Sequence, residues 1–132
     1  MTELNTLYDL IHGPGSPISG KEVAETEAID RVRTRFPLRE YCLVRDWIWV
    51  DLDLTSSELA ALKKTNRQPA LLYAHTVIFD SSRRFDVGDF VRTSPLHEFH
   101  DDFLFCTFHT VYVLLGNGLR KRASLETVGR IF

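Results

Sequence analysis

Residues 71–132 read as one run of short strands separated by turns, which leaves few folds open to the chain. The segments 71–80, 85–94, 103–115 and 119–124 are rich in β-branched and aromatic residues and are bounded by Gly, Asn, Asp and Ser. Gly116-Asn117-Gly118 supplies the positive-φ residues of a tight hairpin. In the first segment both faces are largely apolar, Leu71, Tyr73, His75, Val77 and Phe79 against Leu72, Ala74, Thr76 and Ile78, as in a strand covered on two sides. The stretch 103–115 is too long and apolar for one flat strand, so a bend near His109-Thr110 is expected. Arg120, Lys121 and Arg122 on the return strand would blunt an exposed sheet edge.

The N-terminal region reads as helical. Leu4, Leu7, Tyr8 and Ile11 share one helix face before the breaker cluster Gly13-Pro14-Gly15-Ser16-Pro17. Ser19 with Glu22 has the spacing of a capping box, after which Ala24, Ala28, Ile29, Val32 and Phe36 form a stripe that Pro37 ends. Acids then bases along the outer face, from Glu22 to Arg35, complement the helix dipole. A strand follows over 41–54, with Ile48, Val50, Leu52 and Leu54 on one face and Trp47, Trp49, Asp51 and Asp53 on the other. Thr55 with Glu58 opens a short helix near 56–65 that carries Leu59 and Leu62 inward. The expected fold is α+β over a single domain, 1–132, helical over residues 1–36 and mainly β over residues 41–132. Two N-terminal helices and one short inserted helix pack on a curved antiparallel sheet or small β-barrel of about five to six strands.

Composition narrows the function classes. With 44% hydrophobic and 26% charged residues the chain is that of a globular protein. Its start lacks the basic region and apolar run of a signal peptide, and stretches such as 111–115 fall far short of the roughly 20 residues a membrane helix needs. A cytoplasmic protein is expected. The two cysteines, Cys42 and Cys106, lack metal-ligand spacing and read as buried, reduced thiols. Residues 1–54 hold six Lys/Arg and ten Asp/Glu, a balance of −4, and residues 55–132 hold ten and eight, a balance of +2. Neither half has the one-signed charge of a duplex-DNA binder.

Four constellations remain. His97 and His100, beside Glu98, Asp101 and Asp102, have metal-ligand chemistry, and His75 and His109 could complete a zinc set; a polar connecting loop explains the same residues. Asp51 and Asp53 stand about 7 Å apart on one strand face beside Trp47 and Trp49, which suits a divalent ion or an acid–base pair, or simply a strand end entering solvent. Cys106 lies among phenylalanines, a setting that raises a thiol pKa, and neither a nucleophile elbow nor a phosphate loop is present, so no cofactor is expected. Arg83, Arg84, Arg92, Arg120, Lys121 and Arg122, with Phe90 to stack, could line a single-strand groove, diluted by Asp80, Asp86 and Asp89.

Gly88-Asp89-Phe90-Val91-Arg92-Thr93-Ser94, followed by Thr110-Val111-Tyr112-Val113-Leu114-Leu115-Gly116-Asn117-Gly118, resembles a pattern in uncharacterised bacterial and phage proteins. The resemblance covers about sixty residues, implies a small β-rich domain of bacterial or mobile-element origin, and transfers no catalytic residue. The expected function is a non-catalytic protein-interaction module, an accessory or inhibitor-type protein with a protein partner or a second copy of itself. Nine Phe, four Tyr and two Trp exceed what a small core must hide, so an exposed apolar patch is expected. A single-strand or RNA-binding barrel is the alternative, and a metal-dependent hydrolase the third.

Overall fold

The 14 residues of β2 (Glu40–Asp53) organise the sheet. The computed structural model describes residues 2–131 and, from residue 6 onward, their side chains; Leu4 of the expected N-terminal stripe lies outside those described side chains. One edge of β2 pairs antiparallel with β3 (Ala70–Asp80), from Cys42 opposite Asp80 to Asp51 opposite Ala70. The other edge carries two strands end to end, both parallel to β2: β7 (Thr110–Leu114) beside Glu40–Val44, then β8 (Gly118–Ser124) beside Ile48–Asp53. β6 (Leu104–Cys106) and β5 (Glu98–His100) continue outward from β7, β1 (Ser16–Ile18) from β8, and β4 (Val91–Arg92) from β3. The fold is α+β on a curved sheet, as expected, with a mixed rather than wholly antiparallel ladder.

Several local expectations are corrected. Gly116-Asn117-Gly118 does not reverse the chain; Gly116, at φ +71, carries it from β7 into β8 in the same direction. The reversal comes earlier, between β6 and β7, so 103–115 is a hairpin and not one bent strand. There the Thr107 amide donates to the Thr110 carbonyl (2.9 Å) and the Thr110 amide to Thr107 Oγ1 (3.1 Å). A threonine hydroxyl closes this turn without glycine. β8 lies between β2 and β1, but β1 covers only Gly118–Arg120, so Arg120 is interior while Lys121 and Arg122 lie past the end of β1. Of 85–94 only Val91–Arg92 is strand, because the preceding residues turn around the buried Asp80 carboxylate and Gly88 (φ +94).

The sheet curls until its margins meet. The Leu96 amide donates to the Ala70 carbonyl of β3, and the very next amide, His97, donates to Cys106 of β6, both at 2.8 Å. A crease eases the curl. Asp46 takes φ +53, Ile78 is an extra residue in β3 opposite the Leu43/Val44 step, and Gly116 turns beside them.

Inside the curl, Trp47, Trp49, Leu72, Phe103, Phe105 and Leu114 pack under Ala28 and Val32 of α2 (Glu25–Arg35). Outside, Ile48, Val50, Leu52, Leu71 and Tyr73 meet Leu10 of α1 (Thr2–His12), with Val128 and Ile131 in and after α4 (Leu125–Val128). The alternation read in β2 therefore holds, as does the two-sided cover of β3. α3 (Ser56–Lys64) starts at the expected capping box, Thr55 Oγ1 accepting from the Glu58 amide and Glu58 from the Thr55 amide, but Leu59 and Leu62 are only half-buried. The Ser19–Glu22 box does not form: Lys21 bridges to Leu115, Glu22 bonds Arg45 at 2.8 Å, and α2 begins at Glu25 behind Ala24, with no side-chain cap. Among the described residues no helix is long and apolar enough to cross a membrane.

Candidate binding surface

Most of the charged residues singled out in the sequence are occupied with one another. Arg120 grips Asp51 with two bonds (2.7 and 3.0 Å) and Arg122 bonds Asp53 (2.7 Å), diagonally across the parallel β2–β8 ladder. Trp49 donates its indole N–H to Asp51 (3.2 Å) while the Arg120 guanidinium lies 5.4 Å over its ring. The two aspartates thus act as counter-ions, and the two tryptophans are buried. Lys121 points the opposite way. Its ammonium donates to the Asp9, Leu10 and Gly13 carbonyls (3.0, 2.7 and 2.7 Å), closing the C-terminus of α1, and burial lowers its pKa. Arg84 pairs with Asp80, whose side chain is 0% exposed and accepts the Arg84 and Phe85 amides. Arg83 and Arg92 make no ion pair among the described residues.

The histidines do not converge. His97 donates Nδ1–H to the Asn66 carbonyl (2.7 Å) and packs on Phe108. His100 sits between Glu98 (3.0 Å) and Arg35 (3.3 Å). His75 lies under α1 and His109 in the β6–β7 turn. Among the described residues no three His, Cys, Asp or Glu side chains gather as a metal group. Burial pushes the Cys42 thiol up to about 12, with Asp80 adding to it, and the Cys106 thiol up to about 11, far from a nucleophilic thiolate.

What the fold does assemble lies on the outer face of the β3 margin. Register sets Tyr73 opposite Arg92, and therefore His75 beside Phe90 on the same face. α1 then lays its last turns alongside. The result is a row of five rings: Tyr8 to His12 at 5.0 Å, His12 to His75 at 5.5 Å, His75 to Tyr73 at 4.9 Å edge-on, and Tyr73 stacked on Phe90 at 5.9 Å. Its ends stand in solvent, Tyr8 64% and Phe90 42% exposed. Tyr8 is thus exposed, and among the described side chains of α1 the buried one is Leu10.

Beside the row a cleft of about 470 Å³ opens at the crease. Ile11, Pro17, Ile48 and Leu119 give it apolar walls, and His12, His75 and Asp46 line its mouth. Trp47 borders it from the inner side, its ring lying against Gly118 and its indole N–H held by the Gly116 carbonyl at 3.1 Å. Gly118 makes this possible, since a Cβ there would overlap the Trp47 ring. His75 donates Nε2–H to the Ile11 carbonyl (3.0 Å), which leaves Nδ1 as an acceptor.

The sequence had singled out Trp47, Phe90 and Arg92 of this surface. It had not singled out Asp46, Tyr8 and His12 as site residues, and had set His75 in a strand core or a metal set. One local signal was present: Tyr8 and His12 are spaced i, i+4 on a helix and so share its face.

Residues 19–130 match the model of a family described as a domain of unknown function (DUF6957). No curated protein and no solved structure matches the chain.

Proposed function

We propose, for a chain that belongs to the DUF6957 family, that the protein is a non-catalytic interaction module, an accessory or inhibitor-type protein of bacterial or phage origin. It would dock a protein partner on the α1–β3–β4 face. One observation carries the reading: five contiguous rings, anchored at their centre and exposed at both ends, flank a cleft of about 470 Å³. Rigid aromatics present large contact area at low entropic cost, the property that enriches them at interface centres. Arg84, Arg120 and Arg122 pair with aspartates and Lys121 is spent on α1, which leaves only Arg83 and Arg92 of the singled-out basic set for phosphate and so favours a protein over a nucleic acid.

The test is affinity capture from bacterial lysate with the wild type and with a Tyr8→Ala/Phe90→Ala double variant, before and after nuclease, together with sedimentation of the protein alone. A protein partner, or a self-association, that resists nuclease and is lost in the double variant is expected. Capture that the variant leaves unchanged overturns the assignment of this face. Capture abolished by nuclease makes the partner a nucleic acid.

A further inference from the structure

We propose that the cleft at the crease receives a basic side chain of the docking partner, arginine above all, with Asp46 as its counter-ion; this rests on the interaction reading above and names the residue that anchors it. Charge comes first. Among the described residues Asp46 is the only carboxylate lining the cleft, no Lys or Arg lines it, and the Asp46 carboxylate has no hydrogen-bond or ion-pair partner. An aspartate held in a strand at φ +53 is also an uncommon use of a non-glycine residue, and it occurs where the sheet creases.

The surroundings favour a cation too. His75, which lines the cleft, spends its Nε2–H on the Ile11 carbonyl. His75 Nδ1 remains free to accept an N–H. The His12 and His75 rings line the cleft and can stack a planar guanidinium, and Ile11, Pro17 and Leu119 can cover its methylene stem. A carboxylate in the same place would meet Asp46 with repulsion.

The probe is N-acetyl-arginine-N-methylamide, titrated into the full chain and followed by amide and imidazole NMR signals, with the lysine and glutamate analogues in parallel. The expected result is saturable shifts at Asp46, His75 and Asn117 at millimolar concentration, strongest for arginine and absent for glutamate. Asp46→Asn keeps the shape and tolerates the left-handed backbone, so it should fold and weaken arginine binding by about tenfold. No cleft shift with arginine, equal shifts with glutamate, or undiminished binding in Asp46→Asn each overturn the proposal. Capture of a partner that Tyr8→Ala/Phe90→Ala abolishes but Asp46→Asn leaves intact sinks the anchor alone. If the double variant also leaves capture intact, it is the docking face that fails.

Discussion

The inner and outer faces of the same sheet are closed by different means. Inside, closure is apolar: Trp49 meets Phe105 edge-on at 5.2 Å and Phe99 at 5.0 Å, while Trp47, Phe103 and Phe105 are buried. Outside, a smaller apolar cluster around Ile48, Val50 and Leu71 takes in Leu10, the buried residue among the described side chains of α1, and the helix is also fastened by hydrogen bonds from Lys121 and His75 to its last carbonyls. A buried large apolar side chain contributes about 2 kcal/mol or more, a hydrogen bond about 1 kcal/mol net. The larger share of apolar burial therefore lies within the curl. The outer face trades burial for direction, which is why it can leave rings in solvent.

The largest expected contrast is chemical. Cys42 and Cys106 both belong to the inner cluster, and at pH 8 their thiols should react with a disulfide reagent about a thousandfold more slowly than in the unfolded chain. Fast labelling of the native protein would break the comparison. The same burial makes stability fall as pH rises past the ordinary thiol value of 9.0, because the unfolded chain then releases protons that the folded one keeps. Phe105→Ala should cost about 4 kcal/mol in urea unfolding, through transfer and cavity together. Asp80→Ala should cost about 3 kcal/mol, since it strands Arg84 and two backbone amides. Lys121→Met should cost about 1 kcal/mol by the same measurement and speed amide exchange in α1 while β2 and β3 stay protected. Smallest of all, Tyr8→Ala with Phe90→Ala should shift stability by less than about 0.5 kcal/mol each and still remove partner binding. A large stability loss there would make the ring row structural.

What the sequence revealed follows this division. The Thr55–Glu58 cap and the alternation from Trp47 to Asp53 are local, and both hold. Gly116-Asn117-Gly118 misled because whether a glycine turn reverses a chain depends on what lies alongside, here the parallel edge of β2. The Ser19–Glu22 spacing misled for a similar reason, the distant Arg45 taking the Glu22 carboxylate. The proposed binding surface joins residues far apart in sequence: His75 reaches Ile11 across 64 positions, and Tyr8 and His12 precede the family-matched segment altogether. Alternation set Tyr73 and His75 on one face, but only the docking of α1 turns that face into a row.

The end-to-end arrangement of β7 and β8 along β2 has a kinetic consequence. The central strand cannot complete its second margin until residues about 70 positions downstream arrive, as the Asp51–Arg120 separation of 69 shows. Such long loops close at high entropic cost before any contact rewards them, so folding should be slow for a chain of this size. During that wait β2 exposes unpaired amides and carbonyls beside Trp47, Ile48 and Trp49, and association between partly folded molecules would begin along that margin.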